Sequence, residues 1–337
     1  MQFGLMLRSQ YPKEADLQVC FSNILEQVVK AEELGFSSIT KGSHYSTYPL
    51  NSFQQIPFLA RISAEAPSLR FNAGIVLLPL HKPLDIAEQI ATLDIMTNGK
   101  IIFGAGLGYR DVEFKAFGTL QKDRVKRLEE NLIAIKRLWT EEKVSMTASH
   151  FILDNASCSP MPIQKPHPPI WIGANSDEGI RRAARFGDTY YINPHNRIDT
   201  TKRQLELYRE ELHKLEKPFP GELPMRREVF VAETFDKAIS LCRPYLETKY
   251  SSYHNWGQDK AMPKGDDDLS LDFAELLEDR FIIGGPNEVA EKILELSSLG
   301  VNHLIMSIEW PGMPQSLVLD TMALLAKEVF PLVSKNF

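Results

Sequence analysis

The chain has 337 residues, of which 43% are hydrophobic and 24% charged, and it carries a formal net charge of −6. That length supports a large core and lies in the range of a single α/β barrel, and the negative balance argues against a nucleic-acid or anionic-membrane surface. No apolar run reaches transmembrane length, and the opening "MQFGLMLRSQYPKEAD" lacks a basic segment followed by an apolar one, so a cytoplasmic protein is expected.

In chain order, short apolar runs alternate with segments of helical period. "FGLML" (3–7) reads as a strand. In "FSNILEQVVKAEELG", Ile24, Val28, Ala31 and Leu34 then recur at three to four residues, with Gly35 as a C-terminal cap. "FSSITKG" (36–42) and "RFNAGIVLLPL" (70–80) read as the second and third strands. "LDIAEQIATLDIMTNG" follows as a helix with Ile86, Ile90 and Leu93 on one face, closed by Asn98-Gly99. "KIIFGAG" (100–106) is the fourth strand, and Val125, Leu128, Leu132, Ile135 and Leu138 form the stripe of the next helix. "PIWIGAN" (169–175), "DTYYINP" (188–194), "REVFVA" (227–232) and "NHLIMSI" (302–308) complete eight strands. Further helices are expected at 177–186, 199–216, 236–248, 287–299 and 315–334. Near-continuous apolar strands indicate parallel strands covered on both faces. Eight strand–helix units point to a closed (β/α)8 TIM barrel, one domain spanning 1–337, rather than an open doubly wound sheet. One interval breaks the rhythm: residues 249–280 are polar and acidic, and are expected to form an extended loop insertion between strands seven and eight, as an active-site lid or as surface decoration.

Chemistry-bearing residues are sparse. Cys20, Cys158 and Cys242 form no CxxC pattern and read as small buried residues in a reducing compartment. The eight histidines show no metal-ligand spacing, so no metal site is expected. Lys41 reads as a solvated or paired lysine rather than a Schiff base. The glycines of "GAGLGYRDVEFKAFG" fail as a dinucleotide loop. Their spacing is GxGxG, no helix follows at once, and the acidic residue about 20 positions on, Glu129, falls inside a helix. Gly106 and Gly108 instead read as backbone clearance at the mouth of strand four. "IGANSDEGI" ends strand five and opens a helix capped by Ser176, a position suited to an anion, although Asp177 and Glu178 would repel one unless they point away.

Three blocks carry a resemblance. They are "FNAGIVLLPLHKPLDIAEQIATLDIMTNGKIIFGAGLGYRDVEFKAFG", "KPHPPIWIGANSDEGIRRAARFGD" and "IIGGPNEVAEKILELSSLGVNHLIM", in that order. Together they resemble the bacterial luciferase-like flavin monooxygenase family. The resemblance implies a barrel holding reduced FMN, or the deazaflavin F420, at its C-terminal mouth. It places the flavin on Gly74 and Ile75, Gly106, Gly108, Tyr109 and Gly173, and the phosphate on Ala174, Asn175 and Ser176. It also implies a non-proline cis peptide in this block, at Gly74-Ile75 first and Ala73-Gly74 second, with an ordinary bulge at Gly74 as the alternative. His44, in "KGSHYS", stands where many members carry a catalytic histidine, but Ser43 replaces the acidic neighbour. Arg110, Asn193, His195, Glu309 and Trp310 follow strand ends and are candidate substrate-pocket residues. The implied function is a two-component monooxygenase using O2 on a small organic substrate, with a separate flavin reductase and a homodimeric assembly. Hydride transfer with F420 and non-catalytic flavin binding are the alternatives.

Overall fold

The computed structural model describes residues 1–8, 10–257, 262–263, 266 and 268–335. Eight parallel strands form the barrel. They are β1 (Gln2–Met6), β2 (Ser38–Lys41), β3 (Arg70–Leu77), β4 (Ile101–Gly106), β7 (Ile170–Ala174), β8 (Thr189–Ile192), β9 (Pro224–Val231) and β11 (His303–Ser307). Each pairs with the next, β11 pairs with β1, and the Ile192–Met225 bridge between β8 and β9 closes the ring. The numbering gap holds an antiparallel hairpin, β5 (Val144–Thr147) and β6 (Ile152–Ala156). A further strand, β10 (Phe281–Gly284), lies alongside residues 228–231 of β9. All eight barrel strands coincide with the apolar runs of the sequence. The three additional strands do not stand out there, because they are short and lack a full alternation.

The connecting helices are α1 (Leu17–Glu33), α2 (Gln55–Ile62), α3 (Pro83–Met96), α4 (Asp111–Ala116), α5 (Arg124–Thr140), α6 (Asp177–Phe186), α7 (Ile198–Lys214), α8 (Phe235–Asn255), α9 (Phe273–Arg280), α10 (Pro286–Ser298) and α11 (Gln315–Leu324). Gly35 and Gly99 both adopt positive φ, +79° and +76°, as the caps of α1 and α3 require. The 249–280 interval departs from its expected loop character. Its first residues continue α8 to Asn255 and its last eight form α9, started by a capping box between Asp272 and Glu275. Residues 258–261, 264, 265 and 267 of the interval lie outside the described set.

The core has two layers. Helix stripes such as Leu128, Leu132, Ile135 and Leu138 pack on the outer faces of the strands. Met6, Ile102, Trp171, Tyr191 and Ile305 fill the barrel interior, with Ile75 against them. Leu5 belongs to the outer layer, because alternation along β1 turns Met6 inward instead. At the N-terminal end of the strands, Ser38 Oγ lies 2.7 Å from His303 Nε2, and His303 Nδ1 lies 2.9 Å from Glu222, which also pairs with Arg70 at 2.5 Å. The order is that of a nucleophile triad, but Ser38 and His303 are fully buried, so the chain of hydrogen bonds plugs the barrel floor. All three cysteines are buried and unpaired.

Candidate active site at the barrel mouth

A cavity of about 820 Å³ opens at the C-terminal ends of the strands, where an α/β barrel places its ligands. His44, Gly74, Ile75, Gly108, Tyr109, Arg110, Gly173, Ala174, Asn175, Ser176, Asn193, His195 and Glu309 all line it. Two residues expected there do not. Gly106 lies behind Ile75: a Cβ on it would collide with Ile75 Cδ1, and one on Gly173 would come within 3.3 Å of Ile75 Cγ2. The glycines of β4 and β7 therefore seat the Ile75 side chain, which itself faces the cavity. Trp310 is fully buried and turned outward, donating Nε1 to Glu228 Oε2 at 2.7 Å. Alternation beyond β11 explains it: Ser307 and Glu309 face the cavity and Trp310 faces away. The Gly74–Ile75 peptide is cis, and the β3–β4 register shifts between Ala73 and Val76.

At one end, Ser176 caps α6 by accepting from the Gly179 N–H at 3.2 Å. The neighbouring acids point elsewhere. Asp177 forms a two-pronged pair with Arg203 at 2.8 and 2.9 Å, and Glu178 pairs with Arg181 at 2.5 Å. Arg124, at the start of α5, and Arg182, from α6, line this same end. Arg182 donates to Glu129 at 2.8 Å, whereas Arg124 Nε is buried without a hydrogen-bond partner among the described residues. Burial lowers the proton affinity of the Arg124 guanidinium. Neither arginine is visible as a site residue in the sequence, because each belongs to an ordinary amphipathic helix whose rotation only packing sets.

At the opposite wall, His44 Nδ1 lies 3.2 Å from Glu113 Oε1, with the imidazole partly open to the cavity and the carboxylate buried. Glu113 comes from α4, not from beside His44, so the acidic partner missing at Ser43 is supplied across the loop. The carboxylate also accepts from the Tyr45 N–H at 2.9 Å and lies 3.3 Å from Arg110. Burial pushes its pKa up, but the His44, Tyr45 and Arg110 contacts outweigh burial and hold it below the ordinary value. Arg110 spends its donors on protein. It reaches the Tyr45 carbonyl at 2.7 Å and the Ser46 carbonyl at 3.0 Å, and lies 4.6 Å from the centre of the Trp256 ring. Arg110 thereby ties the 44–46 loop to α4 and to the end of α8. Tyr109 and Trp256 both meet the His44 ring edge-on, at 6.1 and 5.8 Å.

The remaining wall is a polar layer that the apolar reading of "REVFVA" conceals. Arg226, Lys249, Tyr253 and Met262 line the cavity. Lys249 donates to the fully buried Glu228 at 2.5 Å. His195 Nδ1 lies 3.0 Å from Tyr250 Oη, and Arg280 holds the His195 carbonyl at 2.8 Å. Burial, reinforced by Arg226, Lys249, Arg227 and Arg280, drives the His195 pKa well below its ordinary value. Glu309 pairs with Arg8 at 3.1 Å and accepts from Gln27 at 3.2 Å, and burial raises its pKa against the Arg8 charge. Lys41 is not solvated, and among the described residues it is not paired with an acid. It is fully buried on the far side of β2, with Nζ 3.1 Å from the Gly42 carbonyl and 5.4 Å from the Phe58 ring centre. Among the described residues no group of three or more His, Cys, Asp or Glu gathers in metal-binding geometry, and no helix is long and apolar enough to cross a membrane.

Comparison with known proteins agrees with this architecture. The family model for luciferase-like monooxygenases matches residues 1–303. The chain is 26% identical to the FMNH2-dependent dimethylsulfone monooxygenase of Pseudomonas putida over 270 residues, 76% of this chain and 73% of that protein. It is also 26% identical to the F420-dependent glucose-6-phosphate dehydrogenase of Amycolatopsis mediterranei over 319 residues, 89% of this chain and 92% of that protein. The crystal structure of the monooxygenase RslO1 from Streptomyces bottropensis superposes with a TM-score of 0.83 at 25% identity, covering 98% of this chain and 99% of that one. With the closed parallel barrel and the cavity at the strand ends, the match over residues 1–303 establishes that the chain is an oxidoreductase of the luciferase-like monooxygenase family.

Proposed function

We propose that the protein is the oxygenase of a two-component system, taking up reduced FMN from a separate reductase and using O2 to oxidise a small organic substrate. The observation that carries the reading is the end of the cavity formed by Ser176, the start of α6, Arg124 and Arg182. Its acids are turned onto Arg203 and Arg181, and a buried guanidinium nitrogen is left without a partner among the described residues. A helix start with free N–H groups beside two guanidiniums suits a phosphate. The Ile75 side chain, seated over Gly106 and Gly173, offers an apolar surface to the face of a ring system. When bound, reduced FMN supplies the electrons for oxygen chemistry. The chain's own contribution is to fix the ring against Ile75, to exclude water with the Tyr109, Tyr253 and Trp256 wall, and to hold a proton near the reacting atoms. His44 is the residue that would hold this proton, because Glu113 fixes Nδ1 and leaves Nε2 as the ring nitrogen for the cavity. In this reading residues 1–337 act as one catalytic domain, a cytoplasmic homodimer, with the end of α8 as the wall over His44. Gly74, Gly108, Ala174 and Asn175 frame the coenzyme, and Asn193, His195, Glu309 and Arg110 shape the substrate side.

A second reading keeps the site and exchanges FMN for F420, with hydride transfer in place of oxygen chemistry. It is supported by the extent of the match to the Amycolatopsis dehydrogenase. Fluorescence titration of the purified protein with FMN and with F420 separates the two. FMN binding that weakens roughly tenfold or more in Arg124→Met, as expected for loss of a charged hydrogen bond, supports the first reading. Binding of F420 alone overturns it. Binding of either coenzyme without any substrate turnover leaves a flavin-binding protein.

A further inference from the structure

Strand β9 carries Arg226, Arg227 and Glu228 in a row, three charges in a segment enclosed by the fold. A buried charge persists only where a partner or a ligand compensates it. Arg227 turns toward the loop after β8 and is held by the carbonyls of Asn193 and Pro194, at 3.3 and 2.6 Å. Arg226 faces the cavity together with Lys249. The carboxylate near both, Glu228, is already taken: Lys249 Nζ lies 2.5 Å from Oε1, and Trp310 Nε1 lies 2.7 Å from Oε2. Arg226 reaches that carboxylate only at 3.8 Å, and its one side-chain hydrogen bond among the described residues runs from Nε to the neutral Ser307 hydroxyl at 2.8 Å. The other acids on the cavity wall do not make up the difference, since Glu309 belongs to Arg8 and Asp111 to Lys115, at 3.1 and 2.6 Å. Among the described residues two cations therefore share one carboxylate. Among the described residues the outer edge of the Arg226 guanidinium is uncommitted, in a cavity whose opposite end carries the separate Ser176 and Arg124 site.

We propose that the organic substrate bears an oxyanion group, a carboxylate or sulfonate, which seats on Arg226 beside Lys249 and so turns the rest of the molecule toward His44. This rests on reading the cavity as a joint coenzyme and substrate chamber. A guanidinium edge matches such a group with two parallel hydrogen bonds, and the anion supplies the compensation that the surplus positive charge does not find among the described residues. Tyr253, one turn beyond Lys249 on α8, and Trp256, at its C-cap, offer the apolar surface against which the substrate body would lie.

The test uses the full chain and two isosteric probes, octanoate and octanamide, followed by calorimetry and by tryptophan fluorescence, with and without FMN. Octanoate is expected to bind roughly tenfold or more tightly than octanamide, as one charge-assisted hydrogen-bond pair implies. The preference should vanish in Arg226→Met and Arg226→Gln while surviving in Arg124→Met. Two variants are used so that a failure of one to fold, checked by thermal melting, leaves the other to decide. Equal binding of the two probes by the parent chain overturns the proposal, as does a preference that survives both Arg226 variants. If FMN displaces octanoate competitively, Arg226 belongs to the coenzyme phosphate and the proposal also fails. A chain that keeps the Arg226-dependent preference but binds no FMN refutes the flavin reading alone.

Discussion

Replacing Lys41 by methionine tests how the barrel treats a charge that it has completely enclosed. The ammonium has a single carbonyl partner among the described residues, and burial lowers its pKa to about 7, against about 10.4 for a lysine in an unfolded chain. For a cation with a depressed folded-state pKa, the penalty is fully present below pH 7, where both states are protonated. It fades as pH rises toward the unfolded value, because only the unfolded chain then keeps the proton, so stability climbs with pH over that window. At about 1.4 kcal/mol per unit, the full window is worth roughly 4–5 kcal/mol, and the span from pH 6.5 to pH 9.5 about 3 kcal/mol. Lys41→Met removes the group and nearly conserves its length. Its stability relative to the parent should therefore be greater at pH 6.5 than at pH 9.5 by about that 3 kcal/mol. Denaturant unfolding of both proteins at matched pH values measures the difference, and taking the difference cancels every other titrating group. A stability difference that stays flat across the range would refute the picture of an enclosed, acid-free lysine. The result bears on the site, because the carbonyl that Lys41 holds belongs to Gly42, on the cavity wall two residues before His44.

Two substitutions at the site make further expectations measurable. Glu113→Gln keeps the side-chain size but removes the charge that fixes His44, so turnover should fall about 100-fold, the lower range for a lost acid–base contribution. FMN affinity should stay nearly unchanged, and a matching loss of affinity would show that Glu113 serves the coenzyme instead. Gly104→Ala would bring a Cβ to 2.8 Å from the Ala73 carbonyl oxygen and from Gly74 Cα, both backbone. It should destabilise the fold by about 1–3 kcal/mol in denaturant titration. Gly106→Ala collides with the Ile75 side chain and with no backbone atom closer than the Gly173 carbonyl oxygen at 3.7 Å, so its effect should be on FMN affinity more than on stability.

The barrel was legible because its cause is local. An apolar run covered on both faces, followed by a stripe at helical period, repeats eight times, and Gly35 and Gly99 mark helix ends by a backbone conformation that glycine adopts freely. The strand ends carrying His44, Gly74, Asn175 and Ser176 follow from the same count, since a barrel gathers the C-terminal ends of its strands at one mouth. Which side chains meet there does not follow. Glu113 lies 69 positions from His44, Arg124 and Arg182 come from two helices, and Lys249 reaches Glu228 from a stretch that reads as loop. Trp310 and Leu5 sit at the right height but on the wrong face, because a one-residue step along a strand reverses direction. Sequence by itself thus determined the fold, the mouth and the residues that approach it, all consequences of period and strand order. Only the tertiary structure decided who pairs with whom, because a buried charge chooses its partner by distance across the barrel and not by spacing along the chain.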